Sequence, residues 1–172
     1  INSDGNFIRE NFAYIDEQTN QKLTRSILKE NDILFSIAGA LGRVAVVSKD
    51  ILPANSNQAL GIIRLSKKYQ QNIKYLMYYF SGPFIQSYIK MITIKSAQPN
   101  INLEHLRRFK IILPLQEEQE KIVSILSTLD QKLTLQRRRT AHYEKLKQGL
   151  MNELLTGKRR VRQNAQASIA GI

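Results

Sequence analysis

The side chains of this sequence that are spaced for chemistry are cations and amides. Lys95, Gln98 and Asn100 stand in a polar stretch that runs on into Arg107, Arg108 and Lys110. Asn and Gln can pair bidentately with adenine and Arg with guanine in a major groove, whereas Lys takes phosphate. Lys67 and Lys68, beside Tyr69, form a second group. Arg43 directly follows Gly42, and Asn57 with Gln58 precede an apolar run. Asn57 and Gln58 suit equally well the bonding of loop backbone. Arg137, Arg138 and Arg139 form a further cationic group, equally able to touch phosphate or to set register between paired helices. The implied chemistry is recognition of a polyanion.

Catalysis is poorly served. There is no cysteine, which excludes disulfide frameworks, cysteine zinc sites and thiol nucleophiles, and the histidines are His105 and His142 alone. His105 reads as a surface or groove residue and His142 as a solvated or interface residue. Thr156, Gly157 and Lys158 lack the leading glycine and the following hydroxyl of a phosphate loop. No GxGxxG, GxSxG or HExxH occurs. The carboxylates are scattered, with no set spaced to hold Mg²⁺. No catalytic residue and no metal ligand is assigned. The glycines at 39 and 42 match a GxxG clamp only in type, since that clamp lies between helices and these lie between strand-like runs. A tight turn is the simpler reading.

The whole chain has 172 residues, with 26 Lys and Arg against 14 Asp and Glu, a net charge of +12. Such a balance points to nucleic acid before an acidic membrane. The length fits one domain with an appendage. No apolar run approaches the ~20 residues of a membrane span, and no basic start followed by an apolar stretch is present. The expected location is the cytoplasm.

These residues must be positioned by two unlike segments. Residues 31–37 and 42–48 are apolar, partly β-branched runs joined by the 39–42 turn, and 59–65 is a third strand candidate. Residues 109–113 are a fourth. Residues 71–80 and 83–92 carry apolar side chains at helical spacing, divided at Gly82 and Pro83, the latter suited to a first helical turn. Their aromatic stripe of Tyr75, Tyr78, Tyr79, Phe80, Phe84 and Tyr88 is spaced as core, with base stacking the secondary reading. Asn102 is placed to cap a short helix that carries Leu103 to Arg107. The expectation for 1–113 is an α+β domain with a mixed or mainly antiparallel sheet.

Downstream of Pro114 the pattern is helical from 117 to 155, about 58 Å at 1.5 Å per residue. Ile122, Leu126, Leu129 and Leu133 recur at steps of four, three and four, a coiled-coil seam. The seam fails at Gln136 and Thr140 and resumes at Tyr143, Leu146, Leu150 and Leu154. A helix of this length needs a second long helix, supplied by another copy or another protein. Residues 114–157 are thus a spacer or dimerisation helix, and 158–172 a basic tail.

Four stretches, in order, carry a family resemblance: DILFSIAGALGRVAVV, PANSNQALGIIRL, IKSAQPNINLEHLRRFKIILPLQEEQEKIVSILSTLDQKL and LKQGLMNELLTGK. Together they resemble the specificity subunit of type I restriction-modification enzymes, over roughly residues 7 to 161. The resemblance implies a target recognition domain and its spacer helix, a non-catalytic part that reads half of a split target in double-stranded DNA. It implies a modification subunit that methylates adenine with S-adenosylmethionine, and a restriction subunit that translocates and cleaves. S-adenosylmethionine, ATP and Mg²⁺ then belong to those partners. It also implies pairing of the long helix with that of a second copy or second half-subunit. The family's recognition domain has several tens of residues before the strand pair, so an N-terminally incomplete domain is expected. Two other classes remain. One is a helix-mediated adaptor whose basic face binds RNA or acidic protein. The other, a small nuclease or methyltransferase, is disfavoured by the missing motifs.

Overall fold

The computed structural model describes residues 1–93 and 101–161. The chain forms two compact units, Ile1–Ser124 and a second that starts at Ile125. The first therefore takes in the opening turns of the long helix, past the expected boundary at 113.

The centre of the first unit is a three-stranded antiparallel sheet of β1 (Ile33–Ser36), β2 (Val44–Val46) and β3 (Leu60–Ile63), in the order β2-β1-β3. Every residue of β1 is buried, because both faces of this middle strand are covered. Side chains alternate across a strand. Ile33 and Phe35 join one cluster with Ile73, Leu76, Phe80, Ile85 and Ile89, and Leu34 joins another with Leu28 and Val47. Two-sided burial is why Ile33, Leu34 and Phe35 are apolar in succession. Phe35 pairs with Val44 on one side and Gly61 on the other. Gly42 has φ +76° and closes the connection between β1 and β2, its N–H donating to Ser36 O at 2.9 Å. The glycine motif is the tight turn that was expected.

Helices α2 (Ile73–Ser81) and α3 (Pro83–Thr93) cover the first cluster, following α1 (Glu17–Lys22), a short exposed helix capped by Asp16. Pro83 opens α3 as its ring geometry favours. The aromatic stripe is largely core. The rings of Phe35, Phe80, Tyr88 and Phe109 meet edge-on or tilted at 5.6–6.3 Å between centroids. Phe84 is the exception and is exposed.

The fourth strand candidate is corrected. Residues 109–113 form no strand and pair with none among the described residues. The hydroxyls of α2 take the place of a ladder: Tyr79 donates to Lys110 O at 3.1 Å and Tyr75 to Ile112 O at 2.8 Å. Burial, and after it the neighbouring Tyr79 and Glu118, push the Tyr75 hydroxyl pKa up, so it stays a donor.

Helix α4 (Leu103–Arg107) is capped as its sequence predicts. Asn102 Oδ1 accepts from His105 N at 2.8 Å, and His105 Nδ1 accepts from Asn102 N at 3.4 Å. Helix α5 spans Gln116–Leu155. Its first turns are held by a buried amide cluster. Asn72 donates to Gln119 and, at 3.0 Å, to Gln116, while Gln119 donates to Pro114 O at 2.8 Å. Ile122 and Val123 pack against the main cluster of the first unit.

Candidate nucleic-acid interface

The antiparallel registers decide which cations gather. β1 ends, and β2 and β3 begin, at one end of the sheet. Arg43 immediately precedes β2, and Asn57 and Gln58 stand three and two residues before β3, so all three lie at that end. Ile101 N donates to Ile37 O at 2.9 Å, which brings α4 there as well. Leu106 and Leu103 of α4 lie against Gly61 of β3, where a Cβ would come within 2.5 Å and 3.3 Å of their methyls. A side chain at 61 would have to displace these leucine ends.

On α4 and just after it, Arg107, Arg108 and Lys110 are exposed. The Glu104 carboxylate lies 3.5 Å from Arg107 Nη1 and 3.5 Å from Arg108 Nε. Sequence reasoning passed over Glu104, although its i,i+3 and i,i+4 spacing to the two arginines was a readable signal. His105 serves the α4 cap. Among the described residues no group of three or more His, Asp or Glu side chains could hold a metal ion.

The other predicted residues fare differently. Arg43 is half-buried and its Nη1 donates to Ile1 O at 2.8 Å. Asn57 Oδ1 accepts from Ala59 N at 3.1 Å, the backbone role weighed for it, while Gln58 beside it is exposed. Lys67 and Lys68 follow the opposite end of β3, in a 3₁₀ turn over Lys67–Asn72, so they do not join the α4 group along the sheet. Lys68 Nζ stands 5.4 Å from the Tyr69 ring centroid. Lys95, Gln98 and Asn100 lie outside the described residues. At the opposite end of the sheet, where β1 begins and β3 ends, Asp32 is buried with its carboxylate held by Arg64 Nε at 2.7 Å, Arg64 Nη2 at 2.6 Å and Lys29 N at 2.7 Å. That bond to Asp32 raises the Arg64 pKa.

In the second unit every residue from 128 to 155 is exposed, apolar ones included. Leu129, Leu133, Tyr143, Leu146, Leu150 and Leu154 are all among these. Tyr143, Leu146, Leu150 and Leu154 line one shallow apolar groove with Lys147 and Met151. Leu126 is half-buried, and Ile122 is used within the first unit. Arg137, Arg138 and Arg139 interrupt the strip, and Gly149 is carried inside the helix. No helix of the described residues is long and apolar enough to cross a membrane.

A family model described as the type I restriction modification DNA specificity domain matches residues 4–145. The chain belongs to this family. This specificity-domain chain is 31% identical over 122 residues to the type I restriction enzyme EcoBI specificity subunit of Escherichia coli, covering 70% of the chain and 25% of that relative. It is 29% identical over 163 residues to the MjaVIII specificity subunit of Methanocaldococcus jannaschii, covering 92% of the chain and 38% of the relative. It thus spans about a quarter to two fifths of the length of these relatives. A solved structure described as showing complex assembly and conformational transition of the type I R-M system contains a chain that superposes with a TM-score of 0.55. The match covers 74% of this chain and 31% of that one at 22% identity, a likeness of fold. The small antiparallel sheet, its helices and the long helix thus form a specificity-domain fold.

Proposed function

We propose that this specificity-domain chain reads one half of a bipartite target in double-stranded DNA and helps to position the modification and restriction subunits of a type I system. The observation that carries the reading is the exposed Arg107, Arg108 and Lys110 on and beside a helix docked at the sheet end where Arg43, Asn57 and Gln58 also stand. Membership of a DNA specificity family supports it. Lys67, Lys68, Lys95, Gln98 and Asn100 are proposed as further contacts. The apolar strip of α5 pairs with a second long helix, from another copy or another half-subunit. The chain does no chemistry itself: methylation and cleavage, with S-adenosylmethionine, ATP and Mg²⁺, fall to the partner subunits, in the cytoplasm.

Selection from a randomised duplex library, with and without a modification subunit, tests this. A split inverted repeat is the result expected of two paired chains, and a single short motif that of one. Arg107→Ala or Arg108→Ala then costs about 1–3 kcal/mol on the enriched duplex and relaxes one position. Equal losses on all sequences would reduce the arginines to backbone contacts, and equal competition by RNA would favour the adaptor reading.

A further inference from the structure

We propose that Glu104 is the positioning residue of the arginine pair, holding Arg107 and Arg108 ready for base edges while withholding them from phosphate. The inference rests on the DNA-reading function above and names the residue that sets its selectivity. Glu104 is the only acidic residue in 101–116, beside Arg107, Arg108 and Lys110. One carboxylate oxygen faces each arginine: Oε2 stands 3.5 Å from Arg107 Nη1, and Oε1 stands 3.5 Å from Arg108 Nε. The platform beneath is firm, since α4 is capped at Asn102 and seated on Gly61 through Leu106.

The geometry leaves donors in reserve. A guanidinium carries five N–H donors in a rigid fork. Arg108, met at Nε, keeps both terminal nitrogens for a pair of acceptors such as guanine N7 and O6. Arg107, met at Nη1, keeps Nη2 and Nε. Free on the surface, each long side chain would give up rotamer freedom on binding. Held by Glu104, it has given up part of that freedom already.

Phosphate makes a different demand. Nonspecific binding is governed by how many phosphate charges the protein neutralises, with little regard to the orientation of the cation. A carboxylate beside two guanidiniums subtracts one charge from that attraction. Removing it should therefore act in opposite directions on the two kinds of duplex, which neither a simple charge effect nor a folding defect does.

The test uses the full chain and two probes: the duplex that wild type enriches from a random library, and a length-matched alternating dA-dT duplex. Glu104→Gln is expected to weaken binding to the enriched duplex by up to about fivefold, the upper end of what exposed ion pairs contribute. It should strengthen binding to the control about two- to fivefold, with a steeper salt dependence. In an R107A/R108A background the loss on the enriched duplex should vanish. Parallel shifts on both duplexes, or a loss that persists without the arginines, would overturn the role of Glu104 and leave the DNA reading intact. Failure of wild type to enrich any sequence would overturn both.

Discussion

Gly61 of β3 and Leu106 of α4 meet with no room for a side chain between them. A Cβ built at residue 61 falls 2.5 Å from Leu106 Cδ1. Gly61 is paired with Phe35 inside the sheet, so the strand cannot retreat without breaking its register. The helix that carries Arg107 and the residue after its end, Arg108, sit where they do because a strand residue is absent of side chain.

The first prediction follows from that contact. Gly61→Ala meets the far end of a flexible leucine and should be partly absorbed. Gly61→Val should lower stability by about 1–3 kcal/mol through overpacking. It should also weaken duplex binding while leaving every candidate contact residue in place. Thermal unfolding and fluorescence anisotropy measure the two effects, and unchanged DNA affinity in a folded Gly61→Val chain would show that the seat of α4 is irrelevant to binding.

A second concerns Asp32, which is 1% exposed and paired with an Arg64 side chain that is 44% exposed. Arg64→Met removes two of the three donors to a buried carboxylate and should cost about 3 kcal/mol, the lower end for a broken buried pair because Arg64 reaches solvent. Arg64→Lys should recover little, lacking the two-pronged geometry. Urea unfolding gives the values, and a loss below ~1 kcal/mol for Arg64→Met would mean that water satisfies Asp32.

Tyr75 offers a pH-dependent case. Its pKa is raised, chiefly by burial. A raised folded-state pKa gives a contribution that is whole below the ordinary phenol value of about 10 and fades as pH rises through the folded value. Tyr75→Phe frees Ile112 O and should lower stability by about 0.5–1.5 kcal/mol at neutral pH. Its stability should also fall less steeply on the alkaline side than that of wild type. Denaturation at a series of pH values compares the slopes, and parallel slopes would remove Tyr75 from the alkaline transition.

The strip on α5 gives the fourth. Leu129 is 50% exposed and Leu150 39%. Covering the exposed part of such a leucine in a helix pair is worth about 1–1.5 kcal/mol, and an aspartate there would have to bury its charge, so Leu129→Asp or Leu150→Asp should weaken association at least about tenfold. Thr134→Asp, away from the strip, should leave it intact. Sedimentation equilibrium at micromolar concentration distinguishes them, and equal masses for wild type and Leu129→Asp would argue against self-pairing through this strip.

What the residues by themselves determined was local. Apolar, partly β-branched runs marked the three strands, Gly82 and Pro83 the break between α2 and α3, Asn102 the cap of α4, and the helical pattern over 117–155 the long helix, which is found at Gln116–Leu155. Each signal arises within a few residues of chain, from backbone geometry, capping or periodic burial. Four stretches in order also carried the family. Only the tertiary structure decided that 109–113 is held by two tyrosine hydroxyls instead of a strand. It also decided that Ile122 belongs to the first unit's core, and that Arg43, Asn57, Gln58 and α4 share one end of the sheet while Lys67 and Lys68 follow the other. Those outcomes depend on contacts between residues distant in the chain, such as Ile37 with Ile101 and Tyr75 with Ile112. No local period encodes such contacts: they exist once strand register and packing have been settled.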